Sequence, residues 1–196
     1  MLASGKSVVF ASNNRNKYEE VAELLAPLQI HLIFGPERQA IDVEETAQTY
    51  MGNAYIKAVT WAKKTGIPAL ADDSGLEVRA LGWKPGIFSA RVAPSTEGRN
   101  EWLLKSLEGI EDRVAKYVAS FALCLPENGL VLITEGECWG RIALGRSGRG
   151  GFGYDPLFIP HGYERPFADL PDKIKARISH RAIASYQLIH IIHQQI

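Results

Sequence analysis

The sequence predicts an α/β fold around a mixed sheet, and two observations support this prediction. Apolar runs typical of strands alternate with helical patterns along the first half of the chain, as in α/β proteins. Two β-rich runs, 114–125 and 130–139, then follow each other across the short connection 126–129, which predicts a hairpin. Because the strands of a hairpin pair antiparallel, the sheet is not all parallel. We therefore expect a mixed central sheet flanked by helices.

The remaining elements follow from the period of the apolar residues. Besides the hairpin, the pattern predicts strands at 7–12, 30–34, 69–71, 76–81 and 157–159, and helices at 18–28, 46–64, 97–107, 168–177 and 183–192. Two adjacent acidic residues, Asp72 and Asp73, interrupt the apolar pattern between the third and fourth of these strands. We expect a tight turn there.

Length and composition limit the classes of protein. The 196 residues suit one domain, predicted as 1–196 with two lobes. Lysine plus arginine and aspartate plus glutamate number 22 each, so the overall charge predicts neither a polynucleotide nor a membrane surface as partner. Cys124 and Cys138 are too few for a disulfide framework and are expected to be core thiols. Apolar runs are too short for a signal peptide or a membrane span, so a cytoplasmic setting is expected.

One glycine-rich match is rejected as a dinucleotide-binding motif. Gly148, Gly150 and Gly153 have the required spacing, but that motif needs a helix directly after it. The residues from Tyr154 to Phe158 are β-like and include a proline. This loop therefore needs another explanation, and two aromatic residues beside a carboxylate suggest stacking and hydrogen bonding to a purine. Packing of a connection between strands is the alternative.

The acidic pair Asp72-Asp73 is the strongest candidate for chemistry. Two carboxylates at a strand end repel each other unless a cation compensates them, and magnesium prefers oxygen ligands such as carboxylates and phosphates. Glu44, in the acidic segment before the long helix, can join Asp73 as a ligand. The alternatives are that the pair only caps a turn and that Glu44-Glu45-Thr46 is only the acidic start of a helix.

Basic and polar residues near other helix ends suggest phosphate binding. The segment 12–17 leaves a strand and enters a helix, so its backbone N–H groups and Lys17 can hold a phosphate. Asn53 and Lys57 are four apart and share a helix face. Ser179-His180-Arg181 places donors at a helix junction. Helix capping, solvated lysines and surface ion pairs are the alternatives.

Six motifs in order resemble the inosine/xanthosine triphosphate pyrophosphatase family. The resemblance runs from about Val8 to Ala182, nearly the whole chain. The motifs are Ser12-x-Asn14-x-x-Lys17, Glu44-Glu45-Thr46, Asn53-Ala54-x-x-Lys57-Ala58, Ala71-Asp72-Asp73-Ser74-Gly75-Leu76, Gly151-Phe152-Gly153-Tyr154-Asp155-Pro156 and Ser179-His180-Arg181.

The resemblance implies a fold, an activity and an assembly. The fold would be an elongated, two-lobed α/β domain with a nucleotide cleft, and the assembly a homodimer. The activity would be hydrolysis of ITP, dITP and XTP to the monophosphate and pyrophosphate, which keeps deaminated purines out of nucleic acids.

The resemblance also implies roles for individual residues. Asp73 or Asp72 would act as the base, and Glu44 with Asp73 would bind Mg2+. Lys17 and Lys57 would stabilise the leaving pyrophosphate. The implied substrate contacts are Ser12, Asn13, Asn14, Arg15, Asn16, Lys17, Ser74, Phe152, Gly153, Tyr154, Asp155, Lys175, His180 and Arg181.

This chain departs from the family's motifs at Gly52, and two alternative functions remain open. Gly52 stands where the family usually has Glu, so a nearby carboxylate is missing and magnesium affinity or local helix order is affected. A pyrophosphatase acting on modified pyrimidine or methylated nucleotides has a related fold. A nucleotide sensor would bind without turnover, although the acidic pairs favour turnover.

Overall fold

The structure is a computed structural model that describes residues 4–194. Within these residues, seven strands form one sheet in the order β2-β1-β3-β5-β6-β7, with β4 paired to β3. The strands are β1 (Ser7–Phe10), β2 (His31–Phe34), β3 (Ala69–Val78), β4 (Lys84–Pro85), β5 (Val114–Leu125), β6 (Leu130–Ile142) and β7 (Phe158–Pro160). β1 is parallel to β2 and β3, whereas β4 and β7 are antiparallel to their neighbours. The predicted mixed sheet is confirmed.

Helices lie between the strands and at the end of the chain. They are α1 (Arg15–Leu24), α2 (Gly35–Arg38), α3 (Tyr50–Thr65), α4 (Thr96–Ser106), α5 (Asp172–Ile178) and α6 (His180–Gln194). Within residues 4–194, no helix is long and apolar enough to cross a membrane. The described residues divide into two compact units: the first holds 4–73, 119–136 and 181–194, and the second holds 74–118 and 137–180.

In the first unit, the long helix starts later than the sequence predicted. α3 begins at Tyr50 because the Thr49 hydroxyl accepts a hydrogen bond from the Gly52 N–H and caps the helix. Residues 44–46 precede the helix in irregular structure, so the interpretation of Glu44-Glu45-Thr46 as a helix start is wrong. At the other end, Gly66 adopts a left-handed conformation and closes α3.

The tight turn expected at Asp72-Asp73 does not exist. β3 runs without interruption from Ala69 to Val78, and the two aspartates are consecutive residues within it. Strand geometry sends consecutive side chains to opposite faces of the sheet. The two carboxylates are therefore kept apart by the strand itself, and each meets different cations.

The core of the first unit explains why β1 is apolar on both faces. Val8 and Phe10 of β1 belong to one buried cluster with helix α6, and Val9 belongs to a second buried cluster with α3. Trp61 packs in the second cluster. Cys124 is also buried there with a free thiol, which confirms it as a core residue.

The second unit has its own core and contains the glycine-rich loop. Leu76, Tyr117 and Phe158 are buried in it together with Cys138, another free core thiol. Residues 145–153 lead into turns and then β7, so the rejection of a dinucleotide-binding motif is confirmed.

Two tryptophans of the second unit have exposed rings. Trp83 and Trp139 are 39% and 45% exposed, and their rings contact each other edge to face. Trp83 has a φ of 64°, a left-handed conformation that bulky residues rarely adopt. Both rings therefore lie at the surface of this unit, with the ammonium group of Lys116 within 6 Å of each ring.

Candidate active site

Asp72 is completely buried and held by two cations within the first unit. Its Oδ2 lies 3.2 Å from Lys17 Nζ and accepts a 2.9 Å hydrogen bond from Arg181 Nε. Burial alone favours the neutral acid, but the charges of Lys17 and Arg181 outweigh it and hold the pKa of Asp72 far below its usual range. Asp72 is therefore an anion that holds Lys17 and Arg181 in place.

Asp73 is the more accessible carboxylate of the pair, with 10% of its side chain exposed. One oxygen, Oδ1, lies 3.2 Å from Lys57 Nζ, and Oδ2 accepts a 3.2 Å hydrogen bond from Asn53 Nδ2. Burial raises the pKa of Asp73, although Lys57 and Lys17 oppose that shift. The sequence placed Asn53 and Lys57 on one helix face, and the structure brings both to this carboxylate.

Lys57 links three acceptors, and the alternative that it is a solvated lysine is wrong. Its Nζ donates to the backbone carbonyl of Asp72 at 2.9 Å and lies 2.7 Å from Glu45 Oε1, besides its contact with Asp73. Burial lowers the pKa of Lys57, but the carboxylates of Asp73 and Glu45 outweigh it and raise the pKa. Lys57 is therefore a cation between Glu45 and Asp73.

Glu45, rather than the predicted Glu44, faces this cluster. The Glu45 side chain is 22% exposed, whereas Glu44 is an exposed residue. Of the two consecutive glutamates, Glu45 makes the 2.7 Å contact with Lys57. The sequence contained no signal for which one, because the choice depends on Lys57, a partner twelve residues away.

The turn before α1 has the geometry of a capped helix start. Asn14 Oδ1 accepts from the Lys17 N–H at 3.2 Å, and Ser12 Oγ accepts from the Asn14 N–H at 3.2 Å. The capping alternative is confirmed, but Lys17 is not solvated, since it reaches Asp72. Capping leaves the helix N-terminus beside exposed Asn13 and Asn16, so it remains compatible with anion binding.

Arg15 is engaged elsewhere in the first unit. Its guanidinium lies 2.6 Å from Glu37 Oε1 and 4.1 Å from the ring centroid of Phe34. These contacts direct the Arg15 guanidinium to Glu37 and Phe34. They therefore give no support to its predicted role in phosphate binding.

The glycine-rich loop of the second unit folds around Asp155. Asp155 Oδ2 accepts 2.8 Å hydrogen bonds from the Phe152 N–H and from Lys175 Nζ, and Lys175 Nζ lies 4.5 Å from the Phe152 ring centroid. Gly151 has a φ of 68°, and a Cβ there would lie 2.2 Å from Asp155 Oδ2. Glycine is therefore required at 151 for the loop to close on the carboxylate.

Tyr117 joins this cluster and was missed by the sequence analysis. Its ring stacks on His180 at 4.6 Å between centroids and an interplanar angle of 8°, and its hydroxyl lies 3.4 Å from Asp155 Oδ1. Tyr117 is one of many apolar residues in β5, so nothing in the sequence marked it. It connects His180 to the same carboxylate that holds Lys175.

Tyr154 and Arg181, both predicted substrate contacts, form hydrogen bonds with other residues of the protein. The Tyr154 hydroxyl donates to the carbonyl of Ser89 at 2.8 Å, and burial raises its pKa to about 12, as suits a core residue. Arg181 is buried in the first unit between Asp72 and Glu20, whose Oε2 lies 3.1 Å from Arg181 Nη1. Glu20 was not singled out from the sequence.

Two further predicted residues, Ser74 and Gly153, are partly buried in the second unit.

Together, the fold and the first-unit cluster define a class of protein. An α/β protein whose parallel strands end beside a helix N-terminus, buried carboxylates and two lysines has the elements of a site for phosphorylated ligands. The sequence matches the Ham1 family over residues 8–191, and the chain belongs to this family.

Similar proteins and structures cover nearly the whole chain. A dITP/XTP pyrophosphatase of Prochlorococcus marinus subsp. pastoris is 39% identical over 94% of this chain and 95% of that protein. A Deinococcus deserti protein of the same name is 43% identical over 95% and 90%. The Staphylococcus aureus Ham1 protein superposes with a TM-score of 0.87 at 36% identity, covering 97% of this chain and 100% of that one. A HAM1 protein from Coxiella burnetii gives 0.85 at 40% identity, with 96% and 99% covered. The resemblance recognised from the six motifs is confirmed.

Proposed function

We propose that this protein hydrolyses dITP, ITP and XTP to the nucleoside monophosphate and pyrophosphate, which removes deaminated purines from the precursors of nucleic acids. Relatives named dITP/XTP pyrophosphatase across several bacteria support the substrate class. The observation that supports turnover is the contact of Lys57 Nζ with both Glu45 and Asp73, beside the Asp72–Lys17 pair. Carboxylates of this kind can supply both the metal ligands and the base that hydrolysis of a phosphoric anhydride needs.

Glu45 and Asp73 would hold a divalent cation, which we propose to be Mg2+. Their carboxylates lie within contact distance of the same ammonium group, so they face a common space. Among residues 4–194, no group of three or more His, Cys, Asp or Glu side chains has the arrangement of a metal site. Two carboxylates are a number that Mg2+ typically takes from a protein, with water and substrate phosphates completing its shell. When bound, the ion supplies charge neutralisation on the phosphate oxygens.

Asp73 would orient the attacking water and accept its proton. Asp72 is less suited to that role because it is completely buried and paired with Lys17 and Arg181. The water adds to the α-phosphorus, the bond from that phosphorus to the bridging oxygen breaks, and pyrophosphate leaves. Lys17 and Lys57 would stabilise the charge that develops on the leaving group.

The residues around Asp155 in the second unit would bind the purine base of the substrate. Inosine and xanthosine have a carbonyl acceptor at the purine six-position, where adenine has an amino donor. Lys175 carries three N–H donors, and Asp155 accepts from it, which fixes the direction of the ammonium group. His180, stacked on Tyr117, is the second donor, and Phe152 the stacking surface. Hydrogen bonding of this kind can discriminate by about four orders of magnitude. We propose Arg181 as a partner of Asp72 rather than a base contact.

A pyrophosphate-release assay over dITP, ITP, XTP and the four standard deoxynucleoside triphosphates tests this function. We expect rapid release from the first three and release at least about a thousandfold slower from dATP, and none when EDTA removes the metal. Equal hydrolysis of dATP and dITP would contradict the proposed base contacts. Nucleotide binding without release from any triphosphate would favour the sensor instead.

We further propose a homodimer that acts in the cytoplasm. Exposed Trp83 and Trp139, together with Phe88 and Leu144, give the second unit large apolar side chains at its surface. Surface aromatic groups of this kind commonly belong to an interface. A cytoplasmic enzyme would reach its substrates in the pool that supplies nucleic-acid synthesis.

A further inference from the structure

A hydrogen-bonded connection within the first unit leads from the backbone of residue 47 to Asp73. Asn53 is buried, its Oδ1 accepts from the Ala47 N–H at 3.0 Å, and its Nδ2 donates to Asp73 Oδ2 at 3.2 Å. A backbone N–H can only donate, so it fixes which end of the amide faces Ala47. The opposite end, a donor, must then face the carboxylate.

Asp73 is held at both oxygens by this arrangement. Lys57 contacts Oδ1 and Asn53 donates to Oδ2, so rotation of the carboxylate about its last bond breaks at least one contact. A carboxylate that orients a water must keep one direction, because small displacements of a reacting group cost large factors in rate. Asn53 therefore has the geometry to fix the direction of Asp73.

Gly52 permits the backbone contact on which Asn53 depends. A Cβ at Gly52 would lie 2.6 Å from the Ala47 Cβ and 3.0 Å from Thr49 Oγ1, distances that side chains do not tolerate without a shift. A residue with a Cβ at position 52 therefore requires Ala47 or the first turn of α3 to shift. Because Gly52 has no Cβ, Ala47 stays within hydrogen-bond reach of Asn53.

We propose that Asn53 is a positioning residue for Asp73 and that Gly52 keeps its Ala47 contact in place. The proposal rests on the proposed function, in which Asp73 orients the attacking water. It predicts that disturbing residue 52 lowers turnover although residue 52 is not expected to touch the substrate.

The test compares Gly52→Ala with Gly98→Ala in the full-length protein. Gly98 occupies the same third helical position in α4, and its N–H donates to the capping Ser95 as that of Gly52 does to Thr49. A Cβ at Gly98 would meet Ala93 at 3.2 Å, which a small shift relieves. We expect kcat for dITP to fall ~10- to 100-fold in Gly52→Ala, with KM within about threefold of wild type, and no change in Gly98→Ala.

A second substitution distinguishes positioning from loss of folding. Ala47→Gly removes the Cβ that a residue at 52 would strike, so Gly52→Ala/Ala47→Gly should recover most of the lost kcat. Asn53→Leu should lower kcat in the same way but add little further loss to Asp73→Asn, because Asn53 would act through Asp73. Equal kcat values for Gly52→Ala and Gly98→Ala, or additive losses in Asn53→Leu/Asp73→Asn, would overturn the proposal.

A readout without metal or nucleotide separates this proposal from the proposed function. In a 1H–15N spectrum, Asn53→Leu identifies the Asn53 side-chain NH2 signals by their disappearance. We expect these signals to shift in Asp73→Asn and in Gly52→Ala but not in Gly98→Ala. If the Asn53 signals did not shift in Asp73→Asn or in Gly52→Ala, the hydrogen-bonded connection from Ala47 to Asp73 would be refuted. A wild-type protein inactive on every triphosphate would refute the proposed function, while shifted signals would still support the Asn53–Asp73 contact.

Discussion

At the residue scale, the two consecutive glutamates before α3 offer a direct test of the metal site. Glu45 contacts Lys57 beside Asp73, whereas Glu44 is exposed. We expect Glu45→Gln to raise the Mg2+ concentration for half-maximal activity by at least about tenfold, because one of two carboxylate ligands loses its charge. Glu44→Gln is the matched control and should leave that concentration unchanged. Titration of activity against Mg2+ measures both, and the reverse ranking would restore Glu44 as the ligand.

Asp72 should matter for stability as well as for activity. Asp72→Asn replaces a completely buried carboxylate with a neutral amide. Lys17 and Arg181 then face a group without charge. Breaking a buried ion pair in this way typically costs about 3–5 kcal/mol of unfolding free energy, so urea denaturation should show a lowered midpoint. Asp112→Asn, which breaks an exposed pair with Arg79, should leave the midpoint unchanged. Equal midpoints for both variants would show that Asp72 is dispensable for folding.

At the element scale, the loop around Asp155 depends on a glycine with no room for a side chain. A Cβ at Gly151 would strike Asp155 Oδ2, whereas a Cβ at Gly153 would meet nothing within 4 Å, although both glycines have a positive φ. We expect Gly151→Ala to raise KM for dITP more than Gly153→Ala does, since both suffer similar backbone strain and only the first displaces the carboxylate that holds Lys175. Steady-state kinetics of the two variants measure the difference. Equal KM values would mean that Asp155 does not position the base contacts.

Elements were predictable from sequence where local pattern decides them, and site details were not. The hairpin and the helix around Lys57 follow from apolar period and turn residues, so their existence was predicted correctly. The acidic pair suggested a turn because two charges in a strand are locally unfavourable. Lysine and arginine side chains distant in sequence compensate them, and no local pattern contains those partners. The same reason explains the missed Tyr117 and the choice between two glutamates.

At the scale of the whole molecule, the surface tryptophans predict the state of assembly. Trp83 holds a left-handed backbone conformation while its ring stays exposed, and such strain persists where surrounding structure and function maintain it. We expect light scattering coupled to size exclusion to give twice the mass of one chain. Trp139→Glu places a charge on the same exposed aromatic patch and should shift the protein towards the mass of a single chain.

Leu130→Glu is the matched control for that experiment. Leu130 is also an exposed apolar residue, 37% exposed, but it lies in the first unit at the start of β6, whereas Trp139 lies in the second unit. A charge there should leave the dimer intact if the tryptophan surface forms the interface. Dissociation by Leu130→Glu but not by Trp139→Glu would move the interface to the first unit. A wild-type mass of one chain would instead require another explanation for the strained and exposed Trp83.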